Sequence, residues 1–75
     1  MQRALILVKT KTEADEKLLD KIKARSGVVE ANMIYGPYDI YCLCEDPSSL
    51  GIKKLVFDIR YLSDVVSTLT CLISE

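Results

Sequence analysis

The sequence of 75 residues predicts a single ferredoxin-like α+β domain spanning residues 1–75, with elements in the order βαββαβ. Three observations predict this fold. Six apolar segments alternate between strand-like and helix-like periodicity. A Gly-Pro turn after the third segment indicates a short antiparallel connection between two strands. No repeat, linker or low-complexity segment divides the chain. We therefore expect one four-stranded antiparallel sheet with both helices on one face.

The first half of the chain is predicted to contain a strand, a helix and a second strand. Residues 3–9 (RALILVK) form an apolar strand. Thr12 is the expected N-cap of the first helix, with Asp15 three residues later as the acid of a capping box. Gly27 is expected to end that helix, and residues 28–35 (VVEANMIY) form the second strand. The apolar stripe of the helix recurs at four-residue spacing: Ala14, Leu18 and Ile22.

The second half repeats the strand and helix pattern after a turn. Pro37 cannot donate a backbone hydrogen bond, so the chain turns there before a strand at residues 40–45 (IYCLCE). Asp46 is the expected N-cap of the second helix, with Pro47 at its first position. Residues 65–74 (VVSTLTCLIS) form the last strand. The second helix has its own apolar stripe: Ile52, Leu55, Val56 and Ile59.

Both faces of the predicted sheet are apolar, although two helices cover only one face. A sheet with one solvated face alternates apolar and polar residues, and three of the four strands here do not. The second face is therefore expected to pack against the same face of a second copy about a two-fold axis. The residues predicted for this dimer interface are Leu5, Leu7, Tyr41 and Leu43. Those predicted to face the helices are Ile6, Val8, Ile40, Cys42, Leu69 and Cys71.

Composition excludes several classes of protein. The net charge is −1, with no basic stripe of the kind that contacts nucleic acid. No apolar run approaches the ~20 residues of a membrane span, and the N-terminus does not have the pattern of a signal peptide. An odd number of cysteines without an export signal indicates reduced thiols. We expect a cytoplasmic protein that binds neither nucleic acid nor membrane.

Catalytic and metal sites lack their usual residues. The chain contains no histidine, and its aspartates lie near turns and element ends, where they cap or are solvated. Cys42 and Cys44 lie on one face of a strand without a neighbouring base, and the favoured interpretation is two small buried apolar side chains. Tyr41 lies on a central strand, but the basic-aromatic string of an RNA-recognition motif is missing. No catalytic residue, metal or cofactor is predicted.

The turn at residues 36–39 is the strongest candidate for a binding site. One interpretation is an ordinary turn, in which Gly and Pro set the geometry and Asp39 makes a local backbone bond. The other is a site for an amino acid, in which backbone N–H groups bind a carboxylate and Asp39 binds an ammonium. Thr68 and Thr70 supply hydroxyls on one face of the last strand. The residues alone favour the ordinary turn.

The chain resembles the effector-binding (RAM) domain of the Lrp/AsnC family of transcription regulators over nearly its whole length. The similar segments are the opening ALILVK, the amphipathic helix, GVVEANMIYGPYDIYCLCE and the closing VVSTLTCLISE. The most specific are G-x-Y-D in the turn and S-T-x-T in the last strand. Pro37 and the pair at 63–64 (Ser-Asp) depart from the family pattern, in which the first position is often polar and the second pair is often Pro-Gly.

The resemblance implies a ligand site between subunits. Family members join a helix-turn-helix domain to an effector domain, dimerise through their sheets, form rings that are often octameric, and bind amino acids between dimers. The ligand-binding residues implied for this chain are Gly36, Tyr38, Asp39, Ser67, Thr68 and Thr70. Because Met1 stands directly before the first strand, the chain resembles stand-alone effector proteins, for which mixed assembly with full-length Lrp/AsnC regulators is implied.

The sequence therefore predicts an amino-acid or small-metabolite binding module that oligomerises, modulates transcription regulation and does not itself bind DNA. Two alternatives stay open. One is a small dimeric α+β barrel enzyme, an oxygenase or isomerase, which shares this topology and needs a closed apolar cavity with a convergent acid. The other is a purely structural oligomerisation module, which the turn and threonine residues fit equally well.

Overall fold

The computed structural model describes residues 1–74 and confirms the predicted βαββαβ order. Its four strands form one antiparallel sheet in the order β2-β3-β1-β4, so β1 and β3 are central and β2 and β4 lie at the edges. The elements are β1 (Gln2–Thr10), α1 (Glu16–Lys23), β2 (Val28–Met33), β3 (Ile40–Asp46), α2 (Ser49–Arg60) and β4 (Val65–Ile73).

Strict alternation along the two central strands separates two faces of the sheet. On one face, paired residues of β1 and β3 are buried in the core cluster together with the apolar stripes of both helices. We call this the helix face. Its central pairs are Ala4 with Cys44, Ile6 with Cys42, and Val8 with Ile40. The intervening pairs, Leu5 with Leu43 and Leu7 with Tyr41, lie on the opposite face, which we call the open face, and each of these side chains is partly exposed.

The expected face of β4 was wrong for Leu69 and Cys71. These residues pair with Leu7 and Leu5, so they lie on the open face and not beneath the helices. The cause is a β-bulge: the register shifts between Lys9 and Thr10, leaving Val66 as the extra residue of β4. Val65 at the start of β4 is buried on the helix face. Strict alternation counted from Val65 therefore assigns the residues after the bulge to the wrong face.

The first helix begins later than predicted. Asp15, not Thr12, is its N-cap: one carboxylate oxygen of Asp15 accepts a hydrogen bond from the Leu18 N–H at 2.9 Å. The helix ends at Lys23 with Ala24 as its C-cap, before the predicted Gly27. The side chains that it buries are Leu18, Leu19 and Ile22.

The second helix is also capped by a different residue. Ser48, not Asp46, is the N-cap, and its hydroxyl accepts a hydrogen bond from the Gly51 N–H at 3.2 Å. Asp46 instead accepts a bond from the Ser48 N–H at 2.9 Å, which holds the cap in place. A side chain at position 51 would lie 1.9 Å from the Asp46 carboxylate, so this close approach requires glycine or movement of Asp46.

Gly27 closes the connection between α1 and β2 against the end of β3. Its φ of +95° is in a region that L-residues rarely adopt. Its carbonyl accepts a hydrogen bond from the Glu45 N–H at 2.8 Å. A Cβ atom at this position would lie 3.0 Å from the Glu45 carbonyl oxygen. The glycine is therefore required by both backbone angle and space.

Two helical leucines give a matched test of the core. Leu19 is 3% exposed on α1, whereas Leu50 is 74% exposed on α2. We expect Leu19→Ala to lower the free energy of unfolding by about 2–5 kcal/mol, because it removes buried surface and leaves a cavity. The same substitution at Leu50 should change it by less than about 0.5 kcal/mol. Urea unfolding followed by circular dichroism measures both, and equal losses would contradict the assigned core.

The two glycines with positive φ give a second matched pair. Gly36 has a φ of +131°, but a Cβ there would meet no atom within 4 Å. Gly27→Ala should destabilise the fold by more than Gly36→Ala, because only Gly27→Ala adds a contact with the Glu45 carbonyl to the backbone strain. Strain of this kind costs about 1–3 kcal/mol. Urea midpoints of the two variants would order the losses, and the reverse order would show that backbone strain at Gly36 outweighs the close approach at Gly27.

Candidate functional site

A groove of about 490 Å³ lies at the end of the sheet where β1 ends and β3 begins. Because β1 and β3 are antiparallel, the loop that follows β1 and the turn that precedes β3 meet at this end. The lining residues come from that loop, from the end of β2 and from the turn: Glu13, Ala14, Met33, Ile34, Tyr35, Gly36 and Asp39. We call this space the turn groove.

At the turn groove, Asp39 joins the end of β1 to the segment that connects β2 and β3. Its N–H donates to the Val8 carbonyl at 2.9 Å, and its carbonyl accepts a hydrogen bond from the Ile34 N–H at 2.9 Å. One carboxylate oxygen accepts a hydrogen bond from the Thr10 N–H at 2.9 Å. The Asp39 side chain therefore satisfies a backbone donor at the end of β1, where the bulge interrupts regular pairing.

The electrostatics of this position favour an ionised carboxylate. The hydrogen bond from the Thr10 N–H is the main cause that lowers the pKa of Asp39 below its ordinary value. Partial burial acts in the opposite direction, while the positive charge of Lys9 lowers the pKa further. At neutral pH the turn groove therefore presents a fixed negative charge.

The remaining turn residues are arranged around this carboxylate. Gly36 lines the turn groove, and its positive φ allows the chain to turn there. Because it is glycine, no side chain covers the backbone at this point. The Lys9 ammonium donates to the Pro37 carbonyl at 3.3 Å, which fastens the turn to β1. Tyr38 is half-buried and does not line the turn groove, whereas Tyr35 lines it and is fully exposed.

The hydroxyl residues of β4 lie on the other side of β1 from the turn. Ser67 pairs with Lys9 and Thr68 pairs with Val8, so both are at the same end of the sheet as Asp39. Two strand spacings, roughly 10 Å, separate them from the start of β3. Thr70 pairs with Ile6, further from the turn. The structure therefore does not gather all six predicted site residues around one point of a single chain.

Sequence reasoning missed part of the turn groove. It did not name Glu13, Ala14 or the segment 33–35 as site residues, although all of them line the space. The available signal was topological, because in this fold the connection after β1 and the turn before β3 must lie together. Glu13 adds a second carboxylate to the lining, and Met33 and Ile34 add apolar surface.

The open face has an apolar centre and polar groups around it. The residues predicted for the dimer interface, Leu5, Leu7, Tyr41 and Leu43, all lie on this face. Around them the Arg3 guanidinium forms an ion pair with Glu45 at 3.5 Å. The Tyr41 hydroxyl donates to the Glu30 carboxylate, and this bond raises the pKa of Tyr41. An apolar centre with a polar rim is typical of a protein interface.

Within residues 1–74, no helix is long and apolar enough to cross a membrane. Nor does this part of the chain contain a group of three or more His, Cys, Asp or Glu side chains arranged to hold a metal ion.

Comparison with known proteins identifies structural neighbours along the whole chain. No protein-family model matches the sequence, and no curated protein matches it. Among solved structures, TTHA0845 from Thermus thermophilus is 25% identical, with a TM-score of 0.92 over 100% of this chain and 95% of that chain. FFRP-DM1 is also 25% identical, with a TM-score of 0.90 over 99% of this chain and 100% of its own.

A third neighbour is a longer regulator. AsnC of E. coli is 21% identical, and the match has a TM-score of 0.88 over 99% of this chain but 51% of AsnC, which shows the fold. The chain thus spans about half the length of that protein. These neighbours include Lrp/AsnC-family proteins such as AsnC, the matches cover the whole chain, and the chain has the fold of that family's effector-binding domain.

Proposed function

We propose that this chain is an effector-binding and oligomerisation module of the Lrp/AsnC type. It binds an amino acid or related small metabolite, modulates transcription regulation in the cytoplasm, and neither binds DNA itself nor catalyses a reaction. The observation that carries the proposal is the turn groove, which contains Gly36 and the ionised Asp39 carboxylate. AsnC, which has this fold, is a regulator rather than an enzyme, and this supports the same class of function.

The chemistry of the turn groove suits the ammonium end of an amino acid. One carboxylate oxygen of Asp39 accepts the Thr10 N–H. A carboxylate can accept several hydrogen bonds, so Asp39 can also accept N–H donors of a ligand ammonium. Glu13 lines the same space with a second carboxylate. Charge-assisted hydrogen bonds of this kind are about twice as strong as neutral ones. The apolar surface of Met33 and Ile34 is available to a ligand side chain.

The ligand carboxylate needs donors from another part of the site. Residues 35 and 36 are exposed and Gly36 has no side chain to shield the backbone, so the N–H groups of Tyr35 and Gly36 are the proposed donors; Pro37 has none. The hydroxyls of Ser67 and Thr68 lie across β1 in the same chain, roughly 10 Å away, and that of Thr70 is further from the turn. We therefore assign their contribution to β4 of a neighbouring copy, and the site of Gly36, Tyr38 and Asp39 is completed between subunits.

Assembly follows from the open face. We propose that two copies pack through Leu5, Leu7, Tyr41 and Leu43 to form a dimeric α+β barrel, that dimers assemble further into an octamer-type ring, and that the chain also assembles with full-length Lrp/AsnC regulators. An effector acts on such a system only if it binds one assembly state more tightly than another. A ligand site between subunits meets this condition.

A screen of the common amino acids, with thermal unfolding as the readout, tests the proposed site. An effector at 100 times its Kd stabilises the native state by about 2.7 kcal/mol, so its binding raises the unfolding temperature. We expect Asp39→Asn to remove this rise, because the amide oxygen still accepts the Thr10 N–H but the negative charge is lost. Asp20→Asn, on the exposed surface of α1, is the matched control and should respond like the unmodified chain.

The outcomes separate the proposed function from its alternatives. A selective rise that Asp39→Asn abolishes supports the amino-acid site. A rise that persists in Asp39→Asn would remove Asp39 from ammonium binding and leave it only its role of joining β1 to the turn. No rise with any amino acid in a stable oligomer would favour the purely structural module. The enzyme alternative requires an enclosed apolar cavity, and the turn groove is open to solvent and mixed in character.

The thiol of Cys71 reports on the open face. Cys71 is exposed in the single chain and lies opposite Leu5, so face-to-face packing would cover it. Burial raises the pKa of Cys42 to about 12 and also raises that of Cys44, so these thiols form little thiolate and react slowly. In the native protein at micromolar concentration, we expect Cys71 to be alkylated slowly. In Leu43→Lys, which places a charge in the proposed interface, we expect Cys71 to be alkylated fast. A fast thiol in the unmodified protein would show that the open face is uncovered.

A further inference from the structure

The outer edge of β4 is an unprotected strand edge. β4 pairs with β1 on one side, and within residues 1–74 no strand pairs with its other side. Its nine residues, Val65–Ile73, include no charged residue and no proline, and Leu69 and Leu72 are exposed. Natural edge strands are usually short, charged, bulged or covered, because an open edge pairs with other strands. The bulge of β4 lies only at its first residues, so Ser67–Ile73 stays regular.

The other edge of the sheet carries such protection. β2 is shorter, at six residues, and contains Glu30. Its pairing with β3 is interrupted between Val28 and Glu30. The contrast between the two edges indicates that β4 differs from β2 in being suited to a partner.

The sequence of β4 is chemically symmetric about Leu69. Read outward from this residue, it meets a threonine on each side, then serine and cysteine, then valine and leucine. We propose that β4 pairs antiparallel with β4 of a second copy about a two-fold axis at Leu69. Two four-stranded sheets then join edge to edge into one sheet of eight strands. The facing pairs are Leu69 with Leu69, Thr68 with Thr70, Ser67 with Cys71, and Val66 with Leu72.

Symmetry and side-chain chemistry together select this register. A two-fold axis perpendicular to the sheet places the helix faces of both copies on the same side of the joined sheet. Two residues that face each other across the axis must therefore lie on the same face of β4, which requires that their sequence numbers differ by an even number. Centring the axis at Thr68 would face Ser67 with Leu69, and centring it at Thr70 would face Thr68 with Leu72. Only the axis at Leu69 faces hydroxyl with hydroxyl and leucine with leucine, the pairs that stabilise neighbouring strands.

Charge and continuity support a second copy as the occupant. Because Val65–Ile73 carries no charge, self-pairing brings no like charges together. The open face also continues across the new pairing: Leu69 of one copy lies beside Leu69 of the other, and Leu7 flanks this pair on each side. Edge pairing therefore enlarges the apolar open face and leaves it free to pack. The chain has two separate surfaces for self-association, which goes beyond the proposed function and requires no effector.

Directed disulfide formation tests the edge pairing and its register. Thr68 and Thr70 lie on the helix face side of β4, where face-to-face packing of open faces does not reach them. Chains carrying Thr68→Cys or Thr70→Cys, each with Cys71→Ser and a different tag, are mixed and oxidised mildly. Facing residues have Cβ atoms about 5 Å apart, whereas like positions are diagonal neighbours at about 7–8 Å. We expect the mixed 68–70 disulfide to form several-fold more than either like pair.

Lys53→Cys in the same background, exposed on α2, measures random collision. The proposal would be overturned if the mixed 68–70 disulfide were no more abundant than this control, or if the 68–68 and 70–70 disulfides were as abundant as the mixed one.

Hydrogen exchange on the unmodified chain gives an independent readout. A free edge protects only alternate amides, those that bond to β1, whereas the proposed pairing protects consecutive amides from Ser67 to Cys71. Strictly alternating protection would also overturn it. Neither experiment includes an effector, so failure of the edge pairing in either one leaves the proposed function untouched.

Discussion

The structure depends on one constraint: a four-stranded sheet that is apolar on both faces in a chain whose two helices cover one of them. On the helix face, Val8 and Ile40 are buried in one core cluster with the apolar side chains of α1 and α2. On the open face, leucine and tyrosine side chains form a partly exposed apolar centre with charged groups around it. A domain of this size buries only roughly 60% of its extended surface, so covering the open face contributes stability that a single copy lacks.

The same sheet positions the candidate site. The antiparallel register of β1 and β3 brings the loop after β1 beside the turn before β3, and Asp39 fixes the two together through Val8 and Thr10. The carboxylate proposed to bind an ammonium is therefore also part of the hydrogen bonding of the sheet. A ligand bound at Asp39 would contact the end of β1, which carries Leu5 and Leu7 of the open face, so the proposed ligand binding would have a short physical route to assembly.

Sequence reasoning reached the element order and the faces of β1 and β3, because their alternation is uninterrupted and both faces are apolar. It misplaced both N-caps for one reason: Thr12 and Asp15, like Asp46 and Ser48, are competing capping residues a few positions apart, and the backbone decides between them. It misassigned Leu69 and Cys71 because a bulge leaves no mark in local composition. The turn was found, but the full lining of the turn groove was not, since it comes from segments distant in sequence.

We propose above that another copy of this chain covers the open face. Sedimentation equilibrium of the unmodified protein at low micromolar concentration tests it most directly, because the mass is obtained without labels or variants. We expect a species of at least twice the 8.4 kDa chain mass that persists on dilution through this range. A folded monomer of 8.4 kDa, with native circular dichroism at the same concentration, would contradict it.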